Sequence, residues 1–291
     1  MSFHPDQDLQ RLYNGFQGAP PNESRMIFLG MDANFPEFHG EGDERRTALL
    51  SFLQNDQHWR RMAFRTQHVP LYLNRNDHPG RAHHPSLLSC FNGTQAGAPY
   101  HRRVACTIDR ILEQIQQNEV QIQAADLVNS ISFVDLCRFP TLGNNGNHAP
   151  LLFQAGVPAN WEAPANFVEH QRNHRNGSLP KWLLQHDRLV VMPESVFKVL
   201  CKSGWHGLDM AVFQSVAQGW PENQSFSWPN IANPDPNQPE NPFQNCQWLV
   251  TRAFPYFSAG WQQAFPNGDV SEAAVIEAVA EEISDWLNPN A

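Results

Sequence analysis

Acidic, basic and aromatic residues recur along this sequence in one kind of place, directly after a short apolar run. Met26–Met31 is followed by Asp32, within Gly30-Met31-Asp32-Ala33-Asn34-Phe35-Pro36. Val128–Leu136 carries Asp135 at its end and continues into Cys137-Arg138-Phe139-Pro140-Thr141. Arg188–Met192 leads into Pro193-Glu194-Ser195, and Gln247–Phe254, with Arg252 inside it, leads into Pro255-Tyr256-Phe257-Ser258. A carboxylate held at a fixed point orients water or stabilises a developing cation, and aromatic faces stack a base. Taken singly, an Asp after such a run is more often a helix cap. The chemistry depends on whether the runs bring these residues together.

All four runs are short, continuous and bounded by turn signals, the pattern of strands buried on both faces of a parallel sheet. Helical periodicity lies between them: Ile111–Gln123 leads into the second run, and Pro193–Cys201 follows the third at once. Strands alternating with helices predict an α/β fold, a three-layer α/β/α sandwich around a central, four-stranded, mainly parallel sheet. In such sheets ligands sit outside the carboxyl ends of the strands, where the residues above would converge. Beyond Ser271 an acidic amphipathic segment predicts a closing helix over 271–287, with Ala274, Val275, Ala278, Ile283 and Trp286 on its apolar side. The stretches 141–187 and 218–246 hold Trp161, Trp182, Trp220 and Trp228. They read as ordered insertions within a single domain, 1–291, rather than as linkers.

The chain has 291 residues, 41% of them hydrophobic, enough for one substantial core. No run approaches the ~18 apolar residues of a membrane span, and Met-Ser-Phe-His-Pro-Asp lacks the apolar centre of a signal peptide, so a cytoplasmic protein is expected. Five cysteines (Cys90, Cys106, Cys137, Cys201 and Cys246) are irregularly spaced without a C-x-x-C pair. Free reduced thiols are expected, rather than a zinc site, an iron–sulfur site or a disulfide framework. With no Gly-rich phosphate loop, Gly-x-Ser-x-Gly elbow or His-Glu-x-x-His helix, no metal and no cofactor are expected. A net charge of −9 argues against a polyanionic partner, but the distribution argues for one. From Arg45 to Arg110 there are ten arginines, Arg81, Arg102 and Arg103 among them, against three acids. Arginine grips phosphate through paired hydrogen bonds and stacks on bases. A solvated basic face is the competing explanation.

The four strand ends, in this order, resemble the uracil-DNA glycosylase superfamily over roughly residues 26–262. Gly30-Met31-Asp32 is similar to that family's first motif, Gly-x-Asp-Pro-Tyr-His or Gly-x-Asn-Pro-Gly. Phe133-Val134-Asp135-Leu136-Cys137-Arg138-Phe139-Pro140-Thr141 resembles the second strand of the mismatch-type members. Val190-Val191-Met192-Pro193-Glu194-Ser195-Val196-Phe197 resembles the third strand and its turn into a helix, and Phe254-Pro255-Tyr256-Phe257-Ser258 stands where the His-Pro-Ser motif belongs. The resemblance implies a monofunctional glycosylase acting on double-stranded DNA as a monomer. Asp32 would be the water-activating carboxylate of a reaction that passes through a cation-like sugar. Asn34 falls where the family has a Tyr or Gly beside the base, and Asp135 near its base-reading Asn.

The departures from the family pattern are informative. Ala33 replaces the motif proline, and Phe254 replaces the histidine that donates a hydrogen bond to the leaving base; His83, His84, His101 and Arg252 are candidates for that role. An ionised Asp135 only accepts hydrogen bonds, which suits the amino donor of cytosine rather than uracil. Because ordinary cytosine must be spared, the expected substrate is a modified cytosine, hydroxymethylated or glucosylated, in a pocket widened by the two insertions, with anti-phage defence as the setting. A helix cap or an ion pair to Arg138 is the structural alternative for Asp135. Phe91 and Tyr100 are candidate stacking residues beside Phe254, and Phe257 a wedge; Arg81, Arg102, Arg103 and Arg252 are candidate DNA contacts. Two rivals stand beside this reading: a uracil or thymine mismatch repair glycosylase, and a DNA-binding module that kept the fold and lost the chemistry.

Overall fold

The computed structural model describes residues 17–34, 106–114, 126–127, 130–141, 169, 172–173, 176–218, 225–233, 237, 239–252 and 270–288. Its strands are β1 (Gln17–Gly18), β2 (Met26–Asn34), β3 (Ile131–Thr141), β4 (Leu189–Pro193), β5 (Phe226–Ser227) and β6 (Gln247–Thr251). The helices are α1 (106–114), α2 (Lys181–Leu184), α3 (Glu194–Lys202), α4 (Met210–Gln218) and α5 (Glu272–Leu287). The strands form one sheet in the order β1-β3-β2-β4-β6-β5. Its four inner strands are parallel, while the two-residue edge strands β1 and β5 run antiparallel. The fold is therefore α/β, as expected, but the sheet has six strands rather than four. Each extra edge strand is two residues long, too short to leave a hydrophobic pattern.

The continuous apolar runs are explained by burial on both sides. Ile27, Leu29, Val190, Met192, Trp248 and Val250 pack into one core with α2, α3 and α4. Met26, Phe28, Ile131, Phe133, Leu189, Val191 and Leu249 pack into a second core with α1 and α5. The alternation follows the period of two along each strand. Phe28 and Phe133 stack with ring centres 5.5 Å apart across the β2–β3 pair.

Several boundaries differ from the sequence reading. β3 starts at Ile131, not Val128, because the Ser130 amide and hydroxyl both bond to Leu127 O in a turn. Of the helix expected at Ile111–Gln123, residues 111–114 are described and helical, as are 106–110 before them. Pro193 ends β4 instead of opening α3, which starts at Glu194. The closing helix forms as expected, with Ser271 Oγ accepting from the Ala274 amide at 3.1 Å as its N-cap. Its buried face, however, is Val275, Ile276, Val279, Ala280, Ile283, Ser284 and Leu287, while Ala274 is exposed and Ala278 and Trp286 are half-buried. Ala274 and Ala278 lie off this face because α5 seats its larger Ile276 and Leu287 in the core beside α1. Arg110 with Glu277, and Gln114 with both Glu277 and Ser284, set α1 and α5 side by side in the same direction.

Candidate functional site

The strand order locates the site. The connection from β2 to β3 carries α1 on one face of the sheet. Connections running the other way, β3 to β4 and β4 to β6, carry α2 and α3 on the opposite face. Reversing direction and face together keeps one hand throughout. The reversal falls between β2 and β4, and a doubly wound sheet binds its ligand outside the carboxyl ends at this switch point.

The backbone opens there. β2 and β4 pair only at Met26↔Leu189, Ile27↔Val190 and Phe28↔Val191. Beyond Phe28, β2 follows β3 to Asn34, whereas Met192 and Pro193 follow β6. On one side of this junction is the end of β2. There Gly30 pairs with Asp135, Asp32 with Cys137 and Asn34 with Thr141. Asp32 and Asp135 thus sit on adjacent parallel strands two residues out of register, about 8 Å apart between Cα atoms from ideal strand spacing. The sheet brings Asp32, Asn34 and Asp135 to one edge.

On the other side is the β4–α3 turn. Pro193 has φ −70° and ψ 153°, extended backbone that ends the strand, and no side chain caps the first turn of α3. Glu194 opens that turn and complements the positive end of the helix. It is half-buried and Ser195 is exposed. Beside this turn, the buried Thr251 hydroxyl donates to Met192 O at 3.2 Å, and the Arg252 amide donates to Ser225 O at 2.8 Å. These bonds tie the ends of β4, β6 and β5 together and hold Arg252, half-buried, at the same edge. Among the described residues Arg252 and, near the end of β3, Arg138 are cations at the carboxyl ends of the strands.

Other expectations meet a different outcome. Trp182 and Trp228 were expected to widen a pocket; instead Trp182 packs on the α3 core, and Trp228 packs beside α5 with its indole N–H donating to Glu282. An amphipathic indole so placed anchors a loop to a helix. Arg110, one of the ten clustered arginines, is held by Glu113 at 2.6 Å and Glu277 at 3.3 Å. The hydrogen bond to Glu113 pushes its pKa up, so its charge is engaged on the α1–α5 surface. Cys106, Cys201 and Cys246 take part in no disulfide. Burial raises Cys201 and Cys246 to about 12, with Asp209 adding to the effect at Cys201. Phe91, Tyr100, Phe254, Phe257, Arg81, Arg102, Arg103, His83, His84, His101, Trp161 and Trp220 lie outside the described residues.

Two features of this edge escape a reading by runs and motifs: the parting of β2 from β4, and an interruption in the β2–β3 ladder between Asp32 and Asn34. Pro140, four residues beyond the second apolar run, was the available signal for the interruption. Among the described residues no cluster of three or more His, Cys, Asp or Glu could hold a metal ion, and no helix is long and apolar enough to cross a membrane. No protein-family model, curated protein or solved structure matches the chain.

Proposed function

We propose that the chain is a DNA glycosylase of the uracil-DNA glycosylase type, a three-layer α/β/α protein. It hydrolyses the N-glycosidic bond of a flipped pyrimidine, a hydroxymethylated or glucosylated cytosine in anti-phage defence, and leaves an abasic site. One observation carries the reading: Asp32 and Asp135 stand on neighbouring strand ends at the switch point, beyond the last residue pair of β2 and β4. A ligand-binding position and two carboxylates coincide there, and only their order along the chain was available beforehand.

Duplex DNA is gripped by the arginine-rich segment, and the target nucleotide leaves the stack at a cost of a few kcal/mol. Asp32 orients a water and stabilises the positive charge that grows on the sugar as the C1′–N1 bond lengthens. Water oxygen then bonds to C1′, its proton passes to Asp32, and the base departs with the bonding electron pair. Phe254 cannot donate to that leaving anion. Arg252, a permanent donor at the same edge, is one candidate to stabilise it. Asp135 accepts from the exocyclic amino group of a cytosine-type base.

The test is strand scission at alkali-labile sites on U:G, hydroxymethylcytosine and glucosylated-cytosine duplexes. Wild type should cut a modified-cytosine duplex, and Asp32→Asn should lose about 10²- to 10⁴-fold in rate while still binding DNA. Cutting confined to U:G establishes the repair-enzyme rival. Binding without any cutting establishes the non-catalytic module, for which Phe254 in the histidine position is the argument.

A further inference from the structure

The β2–β3 ladder breaks at one place. Asp32 pairs with Cys137 and Asn34 with Thr141, so the single residue Ala33 faces three: Arg138, Phe139 and Pro140. Pro140 suits such a place: proline has no N–H to give to a ladder and a ring-fixed φ, so within sheets it is confined to edges, strand starts and bulges. Two surplus residues make β3 bow and twist locally, and such bulges gather beside functional sites, where they re-aim side chains. This one lies at the carboxyl edge of the sheet, level with Asp32–Asn34 and three residues beyond Asp135.

We propose that the bulge Arg138-Phe139-Pro140 is a DNA-contacting element of the site, with Arg138 binding a backbone phosphate and Phe139 stacking on a base of the target strand. The proposal stands on an arginine–aromatic pair set beside Asp32 by the register of two neighbouring strands, and it rests on the glycosylase reading above. A cation next to an aromatic is the combination that grips an unstacked strand: charge tracks the phosphates, and a π face accepts any base. Pro140 adds rigidity, which lowers the ordering cost of contact. The pair also supplies, within the sheet itself, positive charge that the sequence otherwise concentrates in the 45–110 segment.

The test is fluorescence anisotropy on the full chain, with duplexes carrying one hydroxymethylcytosine or one cytosine, titrated over a salt series. Arg138→Ala should weaken binding to both duplexes about tenfold and lower the salt slope by about one. Phe139→Leu, which keeps apolar bulk without a π face, should weaken binding on the order of tenfold at unchanged salt slope. Circular dichroism reports the fold. If Arg138→Ala unfolds, Arg138→Gln, which keeps length and hydrogen bonding, carries the same expectation. Unchanged affinity in either variant overturns the role of that residue. A wild-type chain that binds neither duplex sinks the glycosylase reading along with this one, whereas wild-type binding with unaffected bulge variants sinks this one alone.

Discussion

Arg188 is the buried cation that joins the two halves of the sheet. Its side chain is 4% exposed, immediately before β4. It donates to Pro21 O and, at 3.1 Å, to Asn22 O in the turn that precedes β2. β2 and β4 share three residue pairs, and this clamp adds a tie between the start of β4 and the turn before β2, next to the Leu189 amide bonded to Arg25 O. Arg188→Met keeps most of the stem and removes every donor. Two hydrogen bonds from a charged group contribute about 1.5–3 kcal/mol each, but the desolvation cost of the buried guanidinium is relieved at the same time. Pro21 O also retains the Ser24 hydroxyl at 3.1 Å, and Asn22 is exposed to water, so the orphaned acceptors cost little. The net loss for Arg188→Met should be about 1–2 kcal/mol. Arg188→Ala also removes two buried methylenes, Cγ and Cδ, at ~0.8 kcal/mol each, for a total of about 3 kcal/mol. Urea unfolding at unchanged slope measures both, and the midpoint of thermal unfolding should fall about 2 °C per kcal/mol. Native-state hydrogen exchange should show the amides shared by β2 and β4 losing protection before those of the β4–β6 pair. An Arg188→Met protein as stable as wild type, with the same exchange pattern, would refute the clamp.

Asp135→Asn should shift preference from modified cytosine toward uracil in single-turnover assays, because a mismatched polar group in a dry pocket costs roughly 1–3 kcal/mol; an unchanged substrate profile removes Asp135 from base reading. Replacing Arg102 and Arg103 together by Ala should weaken binding to all sequences and lower the salt slope by about two if both contact phosphate; an unaltered slope makes the cluster a solvated face. Cys201 and Cys246 should resist an aromatic disulfide reagent at pH 8 in the native protein and react only after unfolding. Their raised pKa values also set a sign. The folded state holds these protons more tightly than the unfolded chain, so the stability present below pH 9 should decline as pH rises from 9 toward about 12. A Cys201→Ala, Cys246→Ala protein with an identical decline over that window would contradict the assignment.

The inner strands, the closing helix and the edge on which acids collect are legible in the sequence because each is a local property. Leu189–Pro193 is buried at every position, so a continuous apolar run marks it whatever lies alongside. Asp32, Asp135, Glu194 and Arg252 follow such runs and therefore reach the carboxyl edge of any parallel sheet built from them. The tertiary structure decided the rest. The order β3-β2-β4-β6 makes the β2–β4 junction the switch point, and strand neighbours are selected by contacts between residues far apart in the chain. Arg188 looked like part of an apolar run until its acceptors, 166 and 167 residues away, came into place. Trp228 turned from pocket to core because Glu282, 54 residues on, takes its indole N–H. In α5, alanines and larger apolar residues surround much of the helix, and packing against α1 and the sheet selected Ile276 over Ala274. Burial on two faces is written into a short run of side chains. Lateral pairing, the parting of β2 from β4 and the bulge at Pro140 depend on which strand lies next to which, and that choice belongs to the free energy of the whole core.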